Sequence, residues 1–356
     1  MEPIKISNEL KIVDGNMLSI YLPSDRIIDS STFKQACDTV KNYKLTKIDI
    51  SNEFSPNFDS LNFLTNFSDV ASEIVEVNLG GKLCDLDNLY IFNNLEKLFC
   101  FVKNNEIVDL SRFAKLKKLS TSRLESFINL NVSPIQALNI HGGFEPCPRL
   151  KLNPELLSQL KQLRLLNLSN HIIDFSFEKV NGLDSLEIVV ITQCNIRNLN
   201  GIEKFPQVKD ITLWYCSSLS DISAINKLPN LLNLDLGPCP RLKDLNVLAS
   251  NDNLRALCLN SYKNVDIEII KTLKELRFLY LYHCNPIPSI KFIDDLKKMV
   301  GLTLLSTKII DGDLTPAMRL KDTDIMVMRH YNIDEDKLPC DMKYSYPYSI
   351  DLLLNS

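Results

Sequence analysis

Between Leu163 and Thr307 the apolar residues return in one fixed order. The segments LRLLNLSNH, LEIVVITQC, VKDITLWYC, LLNLDLGPC, LRALCLNSY, LRFLYLYHC and MVGLTLLST begin at Leu163, Leu186, Val208, Leu231, Leu254, Leu276 and Met299, 22 or 23 residues apart. Positions 4 and 6 of each (Leu166 and Leu168, Val189 and Ile191, Ile211 and Leu213) alternate with residues the core does not need, the period of a short strand with one buried face. One such strand cannot bury its apolar side alone, but copies stacked on one another share an elongated core. The return segments match as well. In SSLSDISAINKLPN, Leu219, Ile222, Ile225 and Leu228 recur every three residues, a spacing that predicts short 3-10 or single-turn arcs and no long helix.

The segments have the form L-x-x-L-x-L-x-x-(N/C), the signature of leucine-rich repeats. The predicted fold is α/β: a leucine-rich repeat solenoid with a parallel concave β-sheet, convex arcs of 3-10 or turn structure, an N-terminal hairpin-helix cap and a C-terminal cap. Residues 1–44 form the first cap. Glu9–Val13 and Met17–Leu22 read as strands around the turn Asp14-Gly15-Asn16. Ser30 or Ser31 then opens a helix that places Phe33, Ala36, Cys37 and Val40 on one face. Residues 45–328 form the solenoid, degenerate to about residue 160 and regular over 163–307. LTKIDISNE, IVEVNLGGK, LEKLFCFVK, LKKLSTSRL and IQALNIHGG fit its strand half at wandering intervals. Phe144–Pro154, with Pro146 and Pro148 about Cys147, reads as a loop within one continuous solenoid. Residues 329–356 read as a capping tail that folds Ile350 to Leu354 over the last repeat, where Thr323 and Ile325 face inward.

Composition narrows the chemistry. A net charge of -4 argues against a nucleic-acid binder, which needs a basic surface. The start shows no secretory signal and no apolar run reaches membrane-spanning length, so the expected setting is cytoplasmic, without membrane insertion, as a monomer. Of ten cysteines, Cys194, Cys216, Cys239 and Cys284 fall at repeat position 9 and read as reduced, buried thiols. No phosphate-loop, dinucleotide, nucleophile-elbow or zinc-protease motif is present. Gly80-Gly81 and Gly142-Gly143 fall at strand ends, where turns want glycine. His141, His171, His283 and His330 are scattered, and His283 beside Cys284 on one strand points to the opposite face, so no metal or cofactor is expected. Asp334, Glu335 and Asp336 lack calcium-loop spacing.

Binding residues are expected where positions 3, 5, 7 and 8 project onto the concave face. There lie Asp210, Trp214, Tyr215, Asp235, Phe278, Tyr280, Tyr282 and His283. Trp214 and Tyr282, three strands apart and so separated by about 15 Å, would wall a trough floored by Gly237 and Asn260. Tryptophan and tyrosine are favoured at binding hot spots, and the two aspartates suggest a partner with basic character. With its ring off the core, Trp214→Ala should leave thermal stability nearly unchanged. Phe99, Phe101 and Val102 mark a second, more apolar patch, which the N-terminal cap could cover.

The short repeats resemble those of protein-phosphatase-1 regulatory subunits and internalins, and TKIIDGDLTP followed by RHYN is similar to the ending of some bacterial cytosolic leucine-rich repeat proteins. The resemblance implies a non-enzymatic protein-recognition module with a scaffold or regulatory role. Its alternatives are a bacterial immunity-like or toxin-neutralising protein and an effector exported without a cleavable signal. Some bacterial leucine-rich repeat effectors carry a cysteine-dependent ubiquitin ligase domain. Cys340 is the footing for such an enzyme here, but it has too little chain around it and no neighbouring histidine as base.

Overall fold

A computed structural model of the chain describes residues 3–22, 30–52, 61–81, 85–102, 106–142, 150–170, 172–263, 265–325, 331–333 and 337–339. Its residues divide into two compact units, Met1–Gly143 with Glu155–Leu163, and Phe144–Pro154 with Arg164–Ser356. Each is a stack of strand-and-arc repeats.

In the first unit Ile4–Lys5, Leu10–Val13 and Met17–Leu22 form an antiparallel meander. Asp14 and Gly15 both take positive φ, 52° and 73°, as a tight hairpin turn requires. Met17–Leu22 then pairs in parallel with Lys47–Asn52, and the connecting helix Ser30–Tyr43 buries Phe33, Ala36, Cys37 and Val40. Phe33 stacks on Phe63 of the next arc at 4.3 Å. The N-terminal segment therefore extends the sheet by its own edge. Parallel strands Glu76–Gly81, Lys97–Val102, Lys118–Thr121 and Ala137–His141 follow in register.

The second unit stacks the parallel strands Leu165–Ser169, Ile188–Thr192, Asp210–Trp214, Asn233–Leu236, Ala256–Asn260, Phe278–Tyr282, Gly301–Leu305 and Asp322–Ile325. The arcs are mostly 3-10 turns, such as Ile202–Lys204 and Ser223–Lys227. One is the short α-helix Ile267–Thr272, capped by the Asp266 carboxylate, which accepts from the Glu268 amide at 2.8 Å. Residues at positions 4 and 6 are fully buried in every repeat of this unit up to Gly301–Leu305.

Position 9 carries a series of bonds that tie a repeat to the one before, interrupted at Tyr262, whose buried hydroxyl has no hydrogen-bond partner among the described residues. The thiols of Cys194, Cys216, Cys239 and Cys284 donate to the carbonyls of Leu168, Ile191, Leu213 and Leu259 at 3.4–3.8 Å. Thr307 continues the series with a hydroxyl 3.0 Å from the Leu281 carbonyl. Burial pushes the Cys194 thiol up to about 12, so it stays protonated and can donate. Cys194, Cys216, Cys239 and Cys284 are free and buried, as the position-9 reading expects.

At the far end, Thr323 and Ile325 face the core. The Thr323 amide donates to the Pro339 carbonyl at 2.6 Å, the Ile309 amide to the Tyr331 hydroxyl at 3.1 Å, and the Leu314 amide to the Asn332 side chain at 2.8 Å. The described part of the tail thus lies on the last repeat. Ile350 to Leu354, Cys340, the cluster Asp334 to Asp336, His171, His330 and the loop residues 143–149 lie outside the described residues.

Candidate functional site

Every residue of the second unit that the repeat pattern assigns to binding lies on one of its strands or, for Tyr215 and His283, one residue past a strand's end. Their register is strict: Asp210, Asn233, Ala256, Phe278 and Gly301 are successive neighbours, as are Thr212, Asp235, Cys258, Tyr280 and Thr303, and Asn260 faces Tyr282. What the side chains do there differs with each.

Trp214 does not stand as a wall. Its indole lies across Gly237, so close that a β-carbon on that glycine would sit 2.7 Å from the ring. The indole N–H donates to the Asp235 carboxylate at 2.9 Å. The expected trough is thus filled at Gly237, and the ring is half-buried. Asp235 is only 3% exposed and also bonds Cys258. Burial raises its pKa above the usual carboxylate range, against the pull of those two bonds. Asp210, also buried, accepts from Asn233 at 2.9 Å. The aspartates therefore serve the sheet and do not face a partner, which removes the reason to expect basic character in one.

Phe278 repeats the arrangement, its ring lying over Gly301 at 2.8 Å from where a β-carbon would be. It stacks on Tyr280 (centroids 6.5 Å apart, planes 20° apart), which meets Tyr282 at 6.1 Å. Tyr280, the middle ring, is buried; Phe278 and Tyr282 are half-buried.

Tyr215 and His283 leave the sheet plane altogether. Position 8 is left-handed in most repeats: Asn170, Gln193, Tyr215, Ser261, His283 and Ser306 have φ between 50° and 64°. This residue ends the strand, and the turn swings the position-9 thiol inward. Both side chains are exposed at the rim, with Tyr215 50% exposed and edge-on to Trp214 at 5.9 Å. A left-handed backbone costs an ordinary residue about 1–2 kcal/mol and is tolerated best by Gly, Asn, Asp and His, so the bulky tyrosine at 215 is the departure.

Trp214 is the single tryptophan of the chain, so its emission reports this corner directly. Gly237→Ala must swing the indole off Asp235, and a red-shifted emission maximum with a lowered melting temperature is the expected result. Asp235 gives a second expectation. Its folded-state pKa is raised, so its stabilising contribution is complete below the ordinary carboxylate pKa and is lost as pH rises through the raised value. Asp235→Asn keeps an acceptor for the indole without the buried charge. Its melting temperature relative to wild type should climb as pH rises from about 4 to 7, and a pH-independent difference would contradict this assignment.

Among the described residues no group of three or more His, Cys, Asp or Glu side chains could hold a metal ion. No helix among them is long and apolar enough to cross a membrane.

No protein-family profile matches the chain. In sequence, mouse leucine-rich repeat and WD repeat-containing protein 1 is 30% identical over 93 residues. That match spans 26% of this chain and 13% of the mouse protein's length. In structure, an internalin of Listeria monocytogenes superposes with a TM-score of 0.50 at 18% identity, over 80% of this chain and 86% of that one. A chain of the Toll–Spatzle complex of Drosophila gives a TM-score of 0.53 at 11% identity, over 90% of this chain and 46% of that one. The repeat pattern and these fold likenesses together make the chain a leucine-rich repeat solenoid.

Proposed function

We propose that the chain is a non-enzymatic recognition module that binds a protein partner on the concave sheet face of its second unit. The observation that carries this reading is the rim pair Tyr215 and His283. Both are exposed, and both occupy left-handed positions that smaller residues fill in neighbouring repeats. Beside them the tilted rings of Trp214, Phe278 and Tyr282 offer amphipathic surface on a rigid sheet, the kind of anchor that dominates interface energetics. Asp235 and Asp210 act from below, holding that surface in place. The fold supports the reading: the Drosophila chain above comes from a complex, that of Toll with Spatzle.

The test is affinity capture from the source proteome, comparing wild type with Tyr215→Ala plus Tyr282→Ala. Both rings lie off the core, so the double variant should melt within a few degrees of wild type while losing the captured protein. Equal capture by both proteins would move the binding site elsewhere.

A further inference from the structure

Position 2 of the repeats, one residue before each strand begins, lines the rim of the second unit's sheet opposite Tyr215 and His283. Its backbones stack directly. The amides of Glu187, Lys209, Leu232, Arg255, Arg277 and Val300 each donate to the carbonyl of the position-2 residue one repeat earlier, at 2.7–2.9 Å. The row opens with a closed ion triad, in which the Glu187 carboxylate takes the Arg164 guanidinium at 2.8 Å and the Lys209 ammonium on its other side. Leu232 then breaks the alternation. Beyond it Arg255 and Arg277 are direct neighbours, their strands about 4.8 Å apart. Both are exposed, and half-buried Leu232 and Val300 flank them.

Among the described residues neither guanidinium of this pair forms an ion pair or a hydrogen bond. The acids around it are engaged elsewhere or stand apart. Glu275 holds Lys298 at 2.6 Å, Asp210 accepts from Asn233 at 2.9 Å, and the exposed Asp252 joins no ion pair. The triad at the head of the row shows how this fold neutralises a cation at position 2, with an acid one repeat away. Here both next repeats offer an apolar residue instead. Phe278 follows Arg277 on its strand, and its half-buried ring, lying over Gly301, extends apolar surface from the rim onto the sheet face. Across four strands the rim therefore runs apolar, cationic, cationic, apolar.

We propose, resting on the concave-face reading above, that this rim patch selects the partner by its chemistry: an extended protein segment of the form apolar-x-acidic-x-apolar. Side chains two residues apart in an extended chain share one side and lie about 6.8 Å apart. The two apolar residues of such a segment are then about 14 Å apart. Leu232 and Val300 are three strands apart, also about 14 Å. The acid between them falls midway, over the gap between Arg255 and Arg277, where two guanidinium forks can take one carboxylate. A nucleic acid fits the patch less well. Two guanidinium groups beside Asp210, Asp235, Asp322 and Asp324 of the same sheet face give a phosphate backbone no basic track to follow.

The experiment titrates the fluorescein-labelled peptide Ser-Leu-Ser-Glu-Ser-Leu-Ser with the full chain and follows anisotropy. The wild-type protein should bind it saturably, and more weakly as salt rises. Arg255→Gln with Arg277→Gln should raise the peptide Kd about tenfold or more. The same double variant should melt with the wild type, because neither guanidinium is bonded within the chain. The peptide Ser-Leu-Glu-Ser-Ser-Leu-Ser, with the acid moved by one residue, should bind the wild type more weakly than the first. Absence of saturable binding, equal binding by the glutamine variant, equal binding of the shifted peptide, or tighter binding of a labelled oligothymidine would each overturn the proposal. None of these outcomes touches the concave-face reading, which capture with Tyr215→Ala plus Tyr282→Ala decides separately.

Discussion

Leu213→Ala is expected to cost about 2–5 kcal/mol of folding free energy, the range for a large-to-small change that leaves a cavity. Leu213 is fully buried at position 6 of its strand, between Ile191 and Leu236 on the adjacent strands. The stacked strands share their neighbours' backbone bonds, so the cavity cannot close by moving one of them alone. The Leu213 carbonyl also takes the Gly237 amide at 2.8 Å and the Cys239 thiol at 3.8 Å. Denaturant unfolding followed by circular dichroism measures the loss, and a change below about 1 kcal/mol would contradict the assigned strand phase. Its neighbour supplies the contrast. Trp214→Ala removes no core volume, yet it leaves the buried Asp235 without its indole donor and uncovers Gly237. A loss of about 1–3 kcal/mol is expected, where the repeat pattern alone anticipates almost none.

Gly201→Ala should damage the second unit more than Gly237→Ala or Gly301→Ala, whose added β-carbons would meet mainly side-chain atoms. Gly201 takes φ 95° at the start of the arc Ile202–Lys204, a conformation that costs an L-residue about 1–2 kcal/mol. An added β-carbon would also lie 2.4 Å from the Glu178 amide nitrogen and 2.5 Å from the Phe177 carbonyl carbon. Those are backbone atoms of the preceding arc, so no side-chain rotation relieves the clash and the arcs must separate. Overpacking of this kind adds about 1–3 kcal/mol, for a combined loss of about 2–5 kcal/mol. Gly80→Ala is the control: among the described residues, no atom beyond its chain neighbours lies within 4 Å of its would-be β-carbon. If the two variants melted together, close stacking of the arcs would not be what Gly201 serves.

The periodic part of the fold is legible in the amino-acid order because it follows from local rules repeated many times. Alternation at positions 4 and 6 sets the strand phase, the interval of 22 or 23 residues limits the arcs to tight turns, and a cysteine or threonine at position 9 closes five of the seven repeats. The hairpin at Asp14-Gly15 and the helix that begins at Ser30 are legible for the same reason, since turn chemistry and one-sided burial are local signals.

The same order brings Trp214, Tyr215, Phe278, Tyr280, Tyr282 and His283 to one side of the sheet, but only the tertiary structure decides what each does there. A ring can stand up or lie over the next repeat, and the choice depends on what occupies position 7 or position 3 of a strand some 23 residues away. Glycine at 237 and 301 lets Trp214 and Phe278 lie flat, and Asp235 fixes the indole by a bond that crosses repeats. Those pairings were present as letters, tryptophan at position 7 followed one repeat later by aspartate at 5 and glycine at 7. Diagonal neighbours on a sheet become visible only once the register is known. The left-handed backbone at position 8, which moves Tyr215 and His283 to the rim, has the same origin. Sequence sets which face a side chain takes, and the packing of adjacent repeats sets whether it is spent on the fold or left for a partner.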